Sequence, residues 1–374
     1  MKSEQIIWSS ENGWSEVDSS LAEKRDLVLV FFDHSQCLTS EWFAKLREIY
    51  PNAIIAGTSS AGSVLDTVIS DQNAVATAIT FDRSWVRCAS KKVADYQDAE
   101  ALGAALSEEL LEESLKHVLI LSDGLSINGS ELARGFSSIL PEGITITGGL
   151  AGDGTRFETT YVIAQEAAKT GIVAVIGFYG ETLRAKSGCF AGWDEFGPER
   201  IITKSEGNVL YSIDNRPALE LYKSYLGEFA TDLPGSGLRF PMSIRKNTEA
   251  TPLIRTLLAV DETMQSLTFA GDVPQGYLCR LLKTNMDLLI EHAGLAAASS
   301  KMSQDDEFLV IAVSCVGRRL VLGQLCEEEL EVIRETLGEK AVITGFYSYG
   351  ELSEKGESRC TLHNQTMTLV SIYE

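Results

Sequence analysis

Apolar residues fall along this chain in short unbroken blocks, and one arrangement of blocks recurs three times. Each copy has an apolar strand ending in polar residues, then a helical stretch, then a second strand ending in glycine. The first copy is DLVLVFFD (26–33), a helix over Thr39–Ile49 and AIIAG (53–57). The second is HVLILSDG (117–124), a helix over Gly129–Leu140 and ITITGG (144–149). The third is FLVIAVSC (308–315), a helix over Gln324–Leu337 and AVITG (341–345). Strands that are apolar at consecutive positions are expected where both faces are covered, as in a parallel βαβ pair inside a layered fold. Each unit therefore reads as a right-handed crossover.

After each unit comes a strand able to pair antiparallel: 73–81, then 159–164 with 171–180, then 366–374. Further strand-like runs (WVRCASKKV, LRAKSGCFAGW, IRTLLAVD, GYLCRLLK) and helices over Asp98–Leu115 and Thr284–Ser303 complete the pattern. The expected fold is α/β with mixed sheets and helices packed outside them. Gly, Pro and charged residues cluster in WDEFGPE (193–199), which places a domain boundary there, dividing 1–197 from 198–374.

In open α/β sheets, ligands bind beyond the carboxyl ends of parallel strands. Here those ends carry small, polar loops: DHSQC (33–37), SDGLS (122–126) and SCVGR (314–318) after the first strands, and GTSSAG (57–62), GGLAGDG (148–154) and GFYSYGE (345–351) after the second. The contact candidates are Ser59, Ser60 and Asp153 from one half, and Arg318, Tyr347, Glu351, His363 and Asn364 from the other, with backbone amides at Gly57, Gly149 and Gly345. GTSSAG has Ala61 where a nucleophile elbow needs its second glycine, and it leads towards a strand. GGLAGDG lacks dinucleotide-loop spacing and also precedes a strand. A plainer reading is that these glycines permit tight turns while Ser and Asp satisfy backbone groups.

Cys315 and Arg318 form a CxxR loop after a buried strand, where the guanidinium would lower the thiol pKa or fork onto a carboxylate ligand. With His363 as base, that loop supports an alternative reading as a cysteine hydrolase or transferase. The four histidines, His34, His117, His292 and His363, form no HxxxH or HExxH pair, so zinc catalysis has no support, whereas haem needs only one axial histidine and an apolar pocket. No complete catalytic constellation is present, and the expectation is a binding protein.

Charge narrows the partners. Over 374 residues the formal net charge is −21, with Lys and Arg scattered singly or in pairs, which disfavours nucleic acid and anionic membrane surfaces. Seven cysteines without a CxxC pair disfavour a disulfide framework or structural zinc and fit a reducing cytoplasm. The opening residues lack the apolar core of a signal peptide, and no run approaches membrane-spanning length.

At these loops the sequence resembles the FIST family of sensory modules, built from an N-terminal and a C-terminal FIST region. The resemblance rests on GTSSAGSVLD (57–66), AITFD (78–82) and GGLAGDG in the first half. In the second it rests on NRPALELYKSYLG (215–227), SCVGRRLVLG (314–323), GFYSYGEL (345–352) and LHNQT (362–366). It implies recognition of a small molecule, with amino acids suggested for the group. Some bacterial members resemble haem-binding nitric oxide sensors that regulate a separate histidine kinase or cyclic-di-GMP enzyme. The chain has no recognisable kinase, receiver or cyclase segment, so its output is expected to run through a partner protein.

Overall fold

A computed structural model describes residues 1–17, 24–38, 41–303, 306–355 and 358–374. The three recurrent units each form the heart of a six-stranded mixed sheet. In the first, Leu27–Phe32 pairs parallel with Ile54–Ser59 and antiparallel with Ala74–Thr80. In the second, Leu115–Ser122 pairs parallel with Thr145–Leu150 and antiparallel with Ile172–Tyr179. In the third, Phe308–Cys315 pairs parallel with Ala341–Ser348 and antiparallel with Met367–Tyr373.

The sheets are tied together by a cyclic exchange of strands. Ser63–Leu65, continuing from the first unit, pairs with Ala341–Ser348 of the third. Gly350–Lys355, continuing from the third, pairs with Thr145–Leu150 of the second. Val162–Ala164, continuing from the second, pairs with Ile54–Ser59 of the first. The strands that follow the paired antiparallel strands outwards, Lys2–Ser9, Trp85–Lys92 and Arg184–Phe190, occupy matching places in the three sheets.

Unbroken apolar strands are explained by what covers each face. Leu29, Phe31, Leu119, Leu121, Leu309 and Ile311 point inward to one shared core where the three sheets meet. Their neighbours point outward: Val28 and Val30 pack with Trp42 and Leu46 of the helix Glu41–Ile49. Val118, Ile120 and Val310 pack under the helices Ala99–Leu110, Gly129–Ile139, Met286–Ser300 and Cys326–Leu337. Asp98, Asn128 and Asn285 cap three of these helices by accepting from their first-turn N–H groups.

Helices expected over Gly129–Leu140 and Thr284–Ser303 are present as Gly129–Ile139 and Met286–Ser300, while the one expected over Asp98–Leu115 ends at Leu110 and Leu115 already opens the next strand. The helix expected from Thr39 starts at Glu41 in the described residues, and Thr39 and Ser40 lie outside them. The loop expected at SCVGR is instead a helix, Val316–Leu322, which starts directly after Cys315. The helix expected from Gln324 runs from Cys326 to Leu337, after a short 3-10 turn. Gly323, at φ 58, separates the two helices, which is why one continuous apolar pattern splits.

Residues 194–283 form a separate eight-stranded antiparallel sheet with its own core around Ile202, Leu210, Tyr222, Ile244 and Phe269. The helix Ala218–Leu226 packs on it. This body is inserted between Arg184–Phe190 and the helix Met286–Ser300, and position 197/198 falls inside its first strand, Asp194–Glu206.

Candidate functional site

The turns after the three second strands do converge, as the recurrent pattern predicts. Ala61 N donates to Tyr347 O at 2.9 Å, Gly152 N to Ser59 O at 3.2 Å, and Tyr349 N to Leu150 O at 3.0 Å. These bonds join equivalent positions of consecutive units and close a ring. Close approach of the strands beneath it requires glycine: a Cβ on Gly57, Gly148 or Gly345 would fall 1.7–2.0 Å from a carbonyl oxygen of the neighbouring strand.

The ring is packed, and this corrects the expectation of a cavity between its turns. Gly57 and Gly149 lie in ladder positions opposite Ile163 and Glu351, and Gly345 opposite Val64. Ser59 Oγ accepts from Tyr161 N, and Ser60 Oγ hydrogen-bonds Ser63 Oγ at 2.8 Å. Both serines are buried, so each completes the fold's own hydrogen bonds. The segments after GTSSAG and GGLAGDG lead into the exchanged strands Ser63–Leu65 and Val162–Ala164.

The C-terminal candidates are likewise engaged internally. Arg318 is fully buried and donates to Glu329 Oε1, Leu289 O and Ala191 O, while the Tyr347 hydroxyl reaches Cys326 O and Glu329. Glu351 accepts from Ser348 Oγ at 2.7 Å and from Thr366 Oγ1 and N at 2.9 and 3.1 Å. Burial pushes its carboxyl up to about 8, against the downward pull of those donors. His363 Nε2 lies 3.4 Å from Ser353 O.

No hydrogen bond joins His363 to Cys315 among the described residues. Burial pushes the Cys315 thiol far above its usual range, and Glu351 adds to that shift. The geometry therefore assembles no activated Cys–His pair, since a reactive thiol needs an electropositive setting that lowers its pKa.

The space lies to one side, on the first-strand loops. A cleft of about 800 Å³ opens between the second and third units and the inserted sheet. One wall is Gly124–Gly129 with Leu150, and Cys315–Gly317 forms another. Leu238, Thr256–Leu258 and Phe269–Gly271 of the insert face them, with Asn208, Pro234 and Gly235, and Phe157, Tyr349 and Leu362 also line it. Of the side chains nominated from the sequence, Cys315 alone lines this cleft among the described residues.

Two nominated residues support its walls. Asp153, buried, accepts from the backbone N–H of Phe157, Glu158 and Thr159 at 2.9 Å each and from the Tyr349 hydroxyl. Burial alone would raise the Asp153 carboxyl, yet these four donors together hold it below its ordinary value. The ring of Phe157 stacks on Tyr349 with centroids 4.5 Å apart and planes 15° from parallel. Asn364 Oδ1 accepts from Thr256 N at 3.4 Å, where the insert meets the core. Beside that contact Arg134 and Asn128 both reach Asp272 of the insert.

Sequence reasoning missed Phe157, Thr256 and Arg255. Thr256 is a lining residue, 6% exposed, and its hydroxyl oxygen is buried with no partner among the described residues. The Arg255 guanidinium, 3% exposed, donates to the carbonyls of Ile254, Leu362 and Asp272 and has no carboxylate ion-pair partner among the described residues. Burial lowers it to about 10, so it stays charged at neutral pH. IRTLLAVD signals only a strand, and the pairing of 255 and 256 with LHNQT is a long-range contact that periodicity does not reveal.

A histidine-ligated haem does not fit this cleft. His34 Nδ1 is tied to Thr159 O, and His292 packs edge-on against Phe190. His117 is held by Thr145 O and is lowered to about 4 by burial. With His363 at Ser353, no histidine lines the cleft among the described residues. Among the described residues no group of three or more His, Cys, Asp or Glu side chains is placed to hold a metal ion. Nor is any described helix long and apolar enough to cross a membrane.

No curated protein matches the chain. A model of the FIST N domain matches residues 26–216 and one of the FIST C domain matches residues 218–354. The two matches meet at Arg216–Pro217, the third strand of the inserted sheet, and between them they take in all three βαβ units. The chain therefore belongs to the FIST family.

Proposed function

We propose that this protein is a cytoplasmic sensor that takes a small molecule into the cleft between its second and third βαβ units and the inserted sheet, and reports it to a separate output protein. FIST domains are small-ligand sensory modules, and the observation that carries the reading here is the cleft itself. It has the size and mostly apolar lining of a small-molecule site, with a few polar groups available for orientation. Its two sides belong to bodies with separate cores, joined through the Asp272 and Asn364 contacts. A ligand touching both sides favours the closed arrangement in proportion to its differential affinity, and the surface around the insert changes with it. The output partner is a histidine kinase or a cyclic-di-GMP enzyme, as family resemblance implies.

Gly235 provides the test, because it lines the cleft and a Cβ there meets nothing within 4 Å. Gly235→Trp adds a bulky side chain at a lining position whose Cβ has room. Compounds that raise the melting temperature of the wild type should fail to stabilise this variant. A ligand at a hundred times its Kd contributes about 2.7 kcal/mol, enough to read. Equal stabilisation of both proteins would place the ligand elsewhere.

A further inference from the structure

Phe157 is a bulky residue held at φ 54, a left-handed conformation that such residues rarely adopt. Asp153 fixes it there, since its carboxylate accepts the N–H of Phe157 and of the next two residues. One face of the ring is laid on Tyr349, yet the residue stays 45% exposed at the cleft wall. Leu125, from the loop after the second unit's first strand, and Leu258, from the insert, are exposed lining residues as well. Large apolar side chains from three separate segments thus stand uncovered around one space, which marks a contact surface for an apolar partner.

The polar side chains of the lining are, by contrast, committed within the fold. Ser126 Oγ donates to Asp123 at 2.8 Å, and Asn208 Nδ2 donates to Phe269 O at 2.8 Å. The Tyr349 hydroxyl donates to Asp153 and accepts from Asp153 N at 3.1 Å. Asn128 caps the helix Gly129–Ile139 by accepting from Ser130 N and Glu131 N, so the cap occupies the place that an anion would take at that helix start. The Thr256 hydroxyl oxygen is inaccessible, and the Cys315 sulfur faces the backbone N–H groups of Gly317 and Gln365. No Asp, Glu, Lys, Arg or His lines the cleft among the described residues. A charged group of either sign entering this space gives up water without gaining an opposite charge.

We infer that the cleft selects an uncharged ligand with a flat ring, which lies against Phe157, and rejects carboxylates, ammonium groups and free amino acids alike. This rests on the cleft being the ligand site. The Phe157 ring selects for shape by offering a rigid stacking face, and the neutral lining selects against charge by leaving it unpaired.

Naphthylacetamide, naphthylacetate, naphthylalanine and decahydronaphthylacetamide share one carbon skeleton, and calorimetric titration of each into the full chain at neutral pH separates charge from flatness. The flat amide should bind at least about tenfold more tightly than the acid or the amino acid, because each of those brings unpaired charge into the cleft. It should also bind about tenfold more tightly than the puckered amide. Phe157→Leu keeps apolar bulk without the ring face, so it should remove the preference for the flat amide while the puckered amide binds as before. Equal or tighter binding of the acid or the amino acid, equal binding of the two amides, a flat preference that survives Phe157→Leu, or no binding of the flat amide overturns the inference. Should naphthylacetate or naphthylalanine bind best and Gly235→Trp abolish that binding, the inference falls while the cleft reading stands. Undiminished binding of naphthylacetamide to Gly235→Trp overturns both.

Discussion

Single residues at the ring carry much of the constraint on this fold. At Gly345 a Cβ would sit 1.8 Å from Ala312 O, and φ is +156, so Gly345→Ala should destabilise the protein by about 3 kcal/mol in denaturant unfolding. Gly235→Ala, in open space, should change stability little by the same measurement. Glu351 gives a pH signature. Its folded value of about 8 lies above the ordinary 4.5, so between these limits the folded state holds a proton that the unfolded chain has released. Its contribution is therefore complete below about 4.5 and is lost as pH rises through about 8. Glu351→Gln should lose less stability than the wild type over that range, read as the pH dependence of the unfolding midpoint; parallel curves would contradict the assignment.

At the scale of elements, the third unit depends on a buried ion pair. Arg318 on Val316–Leu322 and Glu329 on Cys326–Leu337 are both inaccessible, and the guanidinium also ties these helices to Leu289 of Met286–Ser300. Removing one partner strands a charge, so Arg318→Met should cost about 3–5 kcal/mol. Adding Glu329→Leu should recover a large part of it, which a double-mutant cycle in urea checks. A functional forking of Arg318 onto a ligand would instead leave stability unchanged and remove binding.

The three βαβ units were legible in the sequence because their first strands are apolar on consecutive positions, a pattern that needs cover on both faces. The site was less legible. A CxxR loop and a run of Ser and Asp look alike whether they face solvent or one another, and only the strand exchange shows that Ser59, Ser60 and Arg318 turn inward. Phe157 carries no sequence signal, since its importance comes from a backbone angle and from Asp153 four residues earlier.

Across the whole molecule, three units of one plan perform different work. Their second-strand turns close the ring and bind the sheets into one body. The first-strand loops are left free to diverge, and in the second and third units they meet the inserted sheet. Placement of the insert between an edge strand and its helix, instead of at an end of the chain, brings Thr256 and Gly271 opposite Gly124–Gly129 and Cys315–Gly317. Among the described residues, none of the first unit's equivalent loop, His34–Gln36, lines the cleft. On the proposed reading, that asymmetry assigns sensing to two units and scaffolding to the third.

Hydrogen exchange read peptide by peptide, with and without a compound that stabilises the wild type, tests this division most directly. Bound ligand should slow exchange across 124–129, 157–159, 256–258 and 315–317, and leave 34–38 unchanged. Protection concentrated at 34–38, or spread evenly over the chain, would contradict the placement of the ligand between the second and third units and the inserted sheet.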